Sequence, residues 1–419
     1  MFRLVFAFIA LVALNGCAAI ATGELTDLRN GFANNNFVAA AEQYSSGADI
    51  KSQDSLQLMM TGLANFQDKN YKASDDAFEE FNRRKYDTTG GSILRETKMF
   101  LGGGLAAEYK PSMMDSLFVS YYQIWDAIGE NRRDDVRVII NQSYARQQDM
   151  SRAYADMVEK NQSRITDENK ELFDTLQKQN ATWGAYRDIM NPALMYLSGI
   201  WFLNAGDYMD AETYLKRAVG MAPKNSFIAT DLKLAEKKSK PNNTTWIFIE
   251  SGFAPMLREE TISLPVITGN GVIVPAIAIA EPVFGNSKVS VPGAQDLADV
   301  NAMFMTEFNE YRINDALRAW GSAVSRTVAQ VAAHNSDSPY ADLIGLASTL
   351  FSISTTNAEV RSWVTLPEKI QVIRLNTANL IDSKLGAIFG QDVKLPKSGN
   401  YLIYVRLMGG TPVVHIFKI

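Results

Sequence analysis

Asn191–Asn225 reads NPALMYLSGIWFLNAGDYMDAETYLKRAVGMAPKN, and the fold of the first half of the chain is decided by how this stretch is read. Apolar residues recur at helical spacing on both sides of Gly206-Asp207, which marks a turn between two antiparallel helices. Gly199 and Ala211 are small residues where the helices are expected to cross closely. Tyr208, Leu215 and Ala218 continue the seam, and Pro223 stops the second helix.

The spacing resembles the tetratricopeptide repeat, a helix pair with a period of about 34 residues. A generic helical hairpin is the plainer reading. Weaker copies precede it. In SLQLMMTGLANFQDKNYKASDDAFEEF, Gly62, Tyr71, Ser74, Phe78 and Phe81 stand where Gly199, Tyr208, Ala211, Leu215 and Ala218 stand later. A partial copy carries Phe37, Ala40 and Tyr44, and a degenerate unit over Ser116–Ser143 carries Tyr122, Trp125 and Gly129. Single units cannot bury their apolar faces, so three or more are expected to stack. The polar stretch Tyr144–Trp183, with Met150, Tyr154, Met157, Ile165, Leu172 and Leu176 at helical spacing, predicts one or two long solvated helices.

After Glu236–Thr245, which reads as a linker, the texture changes to strands. Trp246–Glu250, Thr261–Ile267, Val272–Ala280, Lys369–Leu375, Tyr401–Met408 and Val413–Ile419 are the expected strands. Gly269-Asn270-Gly271 and Gly409-Gly410-Thr411-Pro412 are the turns between neighbours. A helical insertion is predicted over 294–358, including Asp315–His334 and Tyr340–Ile353. The fold class is therefore α+β: a helical, tetratricopeptide-like array over 17–240, then a β-rich, sandwich-like domain over 246–419 with helices on one side.

The N-terminus carries Arg3, an apolar run Leu4–Leu14, and then Asn15-Gly16-Cys17. The run is shorter than the roughly 20 residues a spanning helix needs, so 1–16 reads as a signal peptide. Small residues before a cysteine resemble the bacterial lipoprotein signal, in which Cys17 is acylated; an ordinary signal with an incidental cysteine is the alternative. No aspartate follows at Ala18, which points to the outer membrane. Cys17 is the single cysteine, so no disulfide within the chain is expected. A net charge of −5 with no basic run argues against nucleic acid as a partner.

Catalytic patterns are scarce. His415 lies in an apolar strand and His334 ends a helix, so the two histidines and Cys17 form no zinc set. Gly102-Gly103-Gly104 lacks the preceding strand that phosphate binding needs. Asp75-Asp76, Asp134-Asp135 and Glu259-Glu260 are sequence neighbours and do not share a helix face. No catalytic residue, metal or cofactor is expected. Aromatic residues are the better candidates for binding: Trp125, with Tyr122 and Tyr121, is expected to line a groove and anchor a partner, with Trp201 and Phe202 as further rings. Trp363 reads either as such an anchor or as a core aromatic.

Three segments of the second half carry a wider resemblance. They are Glu250-Ser251-Gly252-Phe253-Ala254-Pro255 leading to Arg258-Glu259-Glu260, the helix Arg312–Val331, and Ala358-Glu359-Val360-Arg361-Ser362-Trp363-Val364-Thr365-Leu366-Pro367. With the N-terminus and the Gly206-Asp207-Tyr208 repeat, they resemble a largely uncharacterised family of bacterial lipoproteins with tetratricopeptide-like repeats. The resemblance implies no catalytic residue. The reading that follows from the N-terminus and the repeats is a non-enzymatic outer-membrane lipoprotein on the periplasmic face, whose stacked helix pairs form a concave surface that binds another envelope protein. An enzyme or binding protein acting on peptidoglycan or another glycan is the alternative.

Overall fold

The computed structural model describes residues 16–87, 109–167, 169–180, 191–268, 271–285, 289–334, 358–380 and 396–419. Helices come first: α1 (Gly16–Ala33), α2 (Phe37–Tyr44), α3 (Ser55–Gln67), α4 (Tyr71–Asp87), α5 (Met113–Gly129), α6 (Arg133–Gln162), α7 (Lys170–Asn180), α8 (Pro192–Ala205), α9 (Tyr208–Met221) and α10 (Ser226–Glu236). Strands follow: β1 (Thr244–Ser251), β2 (Met256–Ser263), β3 (Val266–Thr268), β4 (Gly271–Ile273), β5 (Ala276–Val283) and β6 (Gln295–Asp299). One long helix, α11 (Val300–His334), precedes β7 (Lys369–Asn376), β8 (Tyr401–Leu407) and β9 (Val413–Lys418). The protein is thus a mixed α+β chain with its sheets in the C-terminal part.

Four helix pairs are closed by the same corner. Asn35, Lys69, Asn131 and Gly206 each take a left-handed conformation, with φ of 59°, 64°, 59° and 83°. In each, the next residue's N–H reaches back five positions: Asn36 to Gly31, Asn70 to Asn65, Arg132 to Ala127 and Asp207 to Phe202, at 2.8–2.9 Å. That bond closes the end of one helix, while the carbonyl of the same residue accepts the first bond of the next helix. In three pairs a glycine sits at the crossing, and a Cβ on Gly31 of α1 would collide with Ala40 of α2. A Cβ on Gly62 would lie 2.5 Å from the Phe78 ring, and one on Gly199 would lie 2.6 Å from Leu215 Cγ. The helices approach that closely because the glycines carry no side chain.

The five-stranded sheet runs β6-β7-β1-β8-β9, and only β1 and β8 are parallel. Every residue of β1 is buried, as a central strand covered on both faces requires. Side chains alternate between faces. Trp246, Phe248, Ile370, Val372, Leu402, Tyr404 and Phe417 join the large core shared with the helices, whereas Ile247, Ile249, Ile373, Ile403, Val405 and Val414 join a second cluster on the opposite face. The expected sandwich is not formed among the described residues. Helix rings occupy the place of a facing sheet, and the remaining strands form two separate ribbons, β2–β5 and β3–β4.

The chain between α10 and β1 is held in place: Thr377 N–H and Gly399 N–H donate to Asn243, and Asn400 donates to the Pro241 carbonyl. Val272–Ala280, read as one strand, is two, because Val274-Pro275 separates β4 from β5. In the ribbon β3–β4, Thr268 pairs with Gly271. A third cluster lies apart from the others, built from Leu172 and Leu176 of α7, Val266, Ile277 and Ile279, and the distal residues Ile313–Ala323 of α11. The predicted helix Asp315–His334 is part of α11, which begins earlier, at Val300. Tyr340–Ile353, Trp183 and Gly102–Gly104 lie outside the described residues.

Candidate functional site: a buried charged node and an open cleft

The aromatic candidates Tyr121, Tyr122 and Trp125 all sit on α5 and are all fully buried. Trp125 meets Phe248, Tyr404 and Phe417 at centroid distances of 5.4, 5.8 and 5.6 Å. Tyr122 packs on Phe66 at 5.5 Å and Trp363 at 6.1 Å, and Tyr121 packs on Tyr122 and Trp125. These rings join helices to the sheet, and they do not line an open groove. The physical reason lies along α5 itself, where every residue from Met113 to Ile128 is buried. A helix apolar nearly all round occupies a core. Trp201 and Phe202 are buried as well, each beneath an arginine, Arg133 and Arg137.

At the centre of this contact stands Glu250, 0% exposed, with Arg406, 1% exposed, on the neighbouring strand β8. Arg406 Nη1 lies 3.5 Å from Glu250 Oε2. Tyr404 donates to the same oxygen at 2.6 Å, Tyr122 donates at 3.0–3.1 Å, and Gln67 donates to Tyr404 at 2.7 Å. Burial pushes the Glu250 carboxyl upward, and Arg406 with the two hydroxyls pulls it back. Arg406 also donates to the Thr365 carbonyl. The segment around Trp363 and Pro367 meets the segment after Glu250 directly, through Ala254 N–H to Leu366 O and Glu368 N–H to Ser251 O. The segment that begins at Glu250 and the segment around Trp363 therefore fold onto one buried node. Trp363 is 2% exposed, a core aromatic.

A second buried carboxylate, Asp231 of α10, accepts from Tyr196, Trp246 and Arg374, each at 2.7 Å. Both nodes bond helix to strand with every strong donor aimed inward. Neither opens to a substrate.

Gly199, Gly206, Tyr208, Ala211 and Pro223 all fall on the α8–α9 pair: Ala211 is fully buried, Tyr208 packs partly buried against the core, and Pro223 follows α9. Cys17 lies in the first turn of α1. His415, on β9, shares a hydrogen bond of 3.0 Å with Tyr71; burial, then nearby Lys69, pushes its imidazole down to about 3 and keeps it neutral. His334 closes α11. The acidic pairs do not converge: Asp75 faces Gln123 and Arg132, Asp76 faces Lys72, Asp135 faces Arg132, and Glu259 accepts from Ala358 N–H. No group of three metal-capable side chains exists among the described residues.

An open cleft of about 600 Å³ lies between the end of α9, strand β6 and the start of α11. Pro223, Phe284, Leu297 and Met305 supply apolar walls, and Asp299, Glu368 and Lys369 supply charge. Its polar groups serve the fold: Asp296 accepts from Gln371, Asp299 caps Ala302, and Lys369 donates to Val289 O.

Sequence reading named Glu250 only as part of a motif and missed Arg406 and Asp231. One signal was present for Glu250 and Arg406, since a lone charge inside TTWIFIES of β1 or YLIYVRL of β8 must find a buried partner. Comparison with protein-family models, with curated proteins and with solved structures finds no match.

Proposed function

We propose that this protein is a non-enzymatic scaffold of the bacterial envelope, held by lipid at Cys17 to the periplasmic face of the outer membrane. The observation that supports it best is the corner repeated four times with one hydrogen-bond pattern. Lys69 follows Asn35 at the period of about 34 residues that marks the tetratricopeptide repeat. Stacked hairpins of this kind serve mainly as binding surfaces for other proteins. The contact surface is assigned to the outer side of α6 and α9, in place of the buried α5 rings. There Val138 is 51% exposed and Met209 77% exposed, beside the ion pairs of Arg137 with Asp207 and Asp210. The partner is another envelope protein.

No helix among the described residues is long and apolar enough to cross a membrane, so attachment in this reading rests on the acyl chains. Cys17→Ser is expected to release the protein from the outer membrane or to leave an unprocessed precursor. Full processing with unchanged outer-membrane fractionation rejects the anchor. Crosslinking in intact envelopes, with Met209→Asp as the comparison, tests the surface: loss of one specific adduct supports it, and an unchanged adduct pattern rejects it. The glycan-acting alternative would use the cleft beside Pro223, and a shift of its lining resonances on adding peptidoglycan fragments would favour it.

A further inference from the structure

The outlying cluster around Trp320 is the core of a lobe that carries the β ribbons. The pairs Met256–Val283 through Ser263–Ala276 and Val266–Ile273 through Thr268–Gly271 keep one register, so β2 to β5 form a single interrupted hairpin. It is interrupted at Leu264-Pro265 and Val274-Pro275. One face of the ribbon β2–β5 is taken: Ile262, Ile277 and Ile279 pack with α11, beside the ion pair of Glu281 with Arg312. Helix α11 is in turn fastened to the body. Glu307 accepts the Met113 and Met114 N–H groups at 2.6 and 2.9 Å and so closes the N-terminus of α5.

The outer edge of β5 has no such cover. Pro282 has no N–H, so its pair with Leu257 is not a hydrogen-bonded one, and the backbone groups there point away from β2. By alternation those of Ala276, Ala278 and Ala280 point outward as well. Among the described residues they meet no hydrogen-bond partner and no further strand. Ala276 is exposed, and Ala278 and Ala280 are half-buried. From Thr261 to Ala280 the chain carries no charged residue. Edge strand β6 of the main sheet shows how this protein blocks such a row. Its register shifts between Asp296 and Ala298, and Asn225 donates to the Asp296 carbonyl. Between Pro275 and Pro282, β5 has neither device.

We propose that a second copy of this chain covers this edge, with β5 antiparallel to β5 about a two-fold axis at Ala278. In that register Ala278 meets its own copy, Ala276 meets Ala280, and Ile277 meets Ile279. No like charges oppose one another, and the alanines leave room for the strands to approach. The two prolines bound the paired stretch. Two ribbons, each marginal by itself, become one larger sheet. The contact is isologous and closes at the dimer. A short run that matches itself residue for residue selects a second copy over an unrelated strand.

Crosslinking of Ala278→Cys in the full chain, in intact envelopes and with a short thiol reagent, reads the axis directly. Most of this variant is expected to move to twice the monomer mass. The native chain, whose one cysteine is Cys17, and Ser263→Cys, on the outer side of β2, are expected to stay monomeric. Ala278→Asp sets two carboxylates against each other across the axis. It is expected to sediment as a monomer where the purified native chain sediments as a dimer, with unchanged circular dichroism. Should it not fold, Ala276→Lys, at the exposed start of the edge, takes its place. A native chain that is monomeric at every concentration overturns the proposal, as does a dimer that persists in a folded edge variant. Crosslinking of Ser263→Cys as strong as that of Ala278→Cys overturns it too, and so does capture of another envelope protein at Ala278→Cys in place of the dimer.

Discussion

The body around β1 and the lobe around Trp320 are built on different terms. In the body, charges lie inside, and each is closed by several donors: Glu250 by Arg406, Tyr404 and Tyr122, and Asp231 by Tyr196, Trp246 and Arg374. One apolar cluster runs through all of it, from Leu25 of α1 to Phe417 of β9. The lobe rests on a smaller, mainly aliphatic cluster around Trp320, with one ion pair, Arg312 to Glu281, between α11 and β5, and is joined to the body along α11. Buried charge makes a core intolerant of partial opening, because an opened node leaves an unpaired ion in low dielectric. A small aliphatic cluster opens at lower cost. The body is therefore expected to unfold as one unit, and the lobe to open before it.

The most severe way to break this contrast is at the node. Removing one partner, as Arg406→Ala or Glu250→Ala, is expected to cost about 3–5 kcal/mol, read from urea unfolding followed by tryptophan fluorescence. A loss below about 1 kcal/mol would show that the pair is solvated and the body less closed than described.

Trp320→Ala sharpens the comparison from the other side. The lobe is expected to lose about 3–5 kcal/mol, seen as faster exchange in α7 and distal α11, while β1 and β8 keep their protection. A matching fall in both regions would make body and lobe one cooperative unit.

Smaller effects test the helix crossings within the body. Gly62→Ala and Gly199→Ala are each expected to cost about 1–3 kcal/mol. A Cβ at Gly62 meets the Phe78 ring, and one at Gly199 meets Leu215 Cγ with the Leu215 backbone N close behind, so the two costs should be comparable. Ala211→Leu, placed in the α8–α9 seam, belongs in the same range. Unchanged melting temperatures would mean that the pairs do not pack at these residues.

Smallest are the corners. Lys69 holds φ of 64° without the freedom that Gly206 has at 83°. Lys69→Gly is expected to gain up to about 1 kcal/mol, and Gly206→Ala to lose about 1–2 kcal/mol. Equal and negligible effects would argue that the two corners are not under the same backbone constraint.

Legibility follows the range of each interaction. Gly206-Asp207 announces its corner because a helix stop and the next helix start are both written within a few residues. Lys69 announces nothing, since its left-handed conformation is imposed by the pairing of α3 with α4. Trp125 was misread for the same reason. Its helix shows aromatic richness, but a helical period does not record whether solvent, a partner or a sheet covers that richness. The sandwich failed likewise: strand alternation shows two apolar faces without saying that α5 would cover one of them.

By itself the sequence determined local elements: the helix pair on either side of Gly206-Asp207, and the strands β1, β7, β8 and β9. Those features rest on side-chain period and on backbone preferences of single residues, which act within a few positions of the chain. Only the tertiary structure decided that β1 lies between β7 and β8, that Glu250 meets Arg406 from 156 residues away, and that Glu307 closes a helix 194 residues before it. Such contacts are chosen by the summed burial of whole elements, and no local pattern in the chain carries that sum.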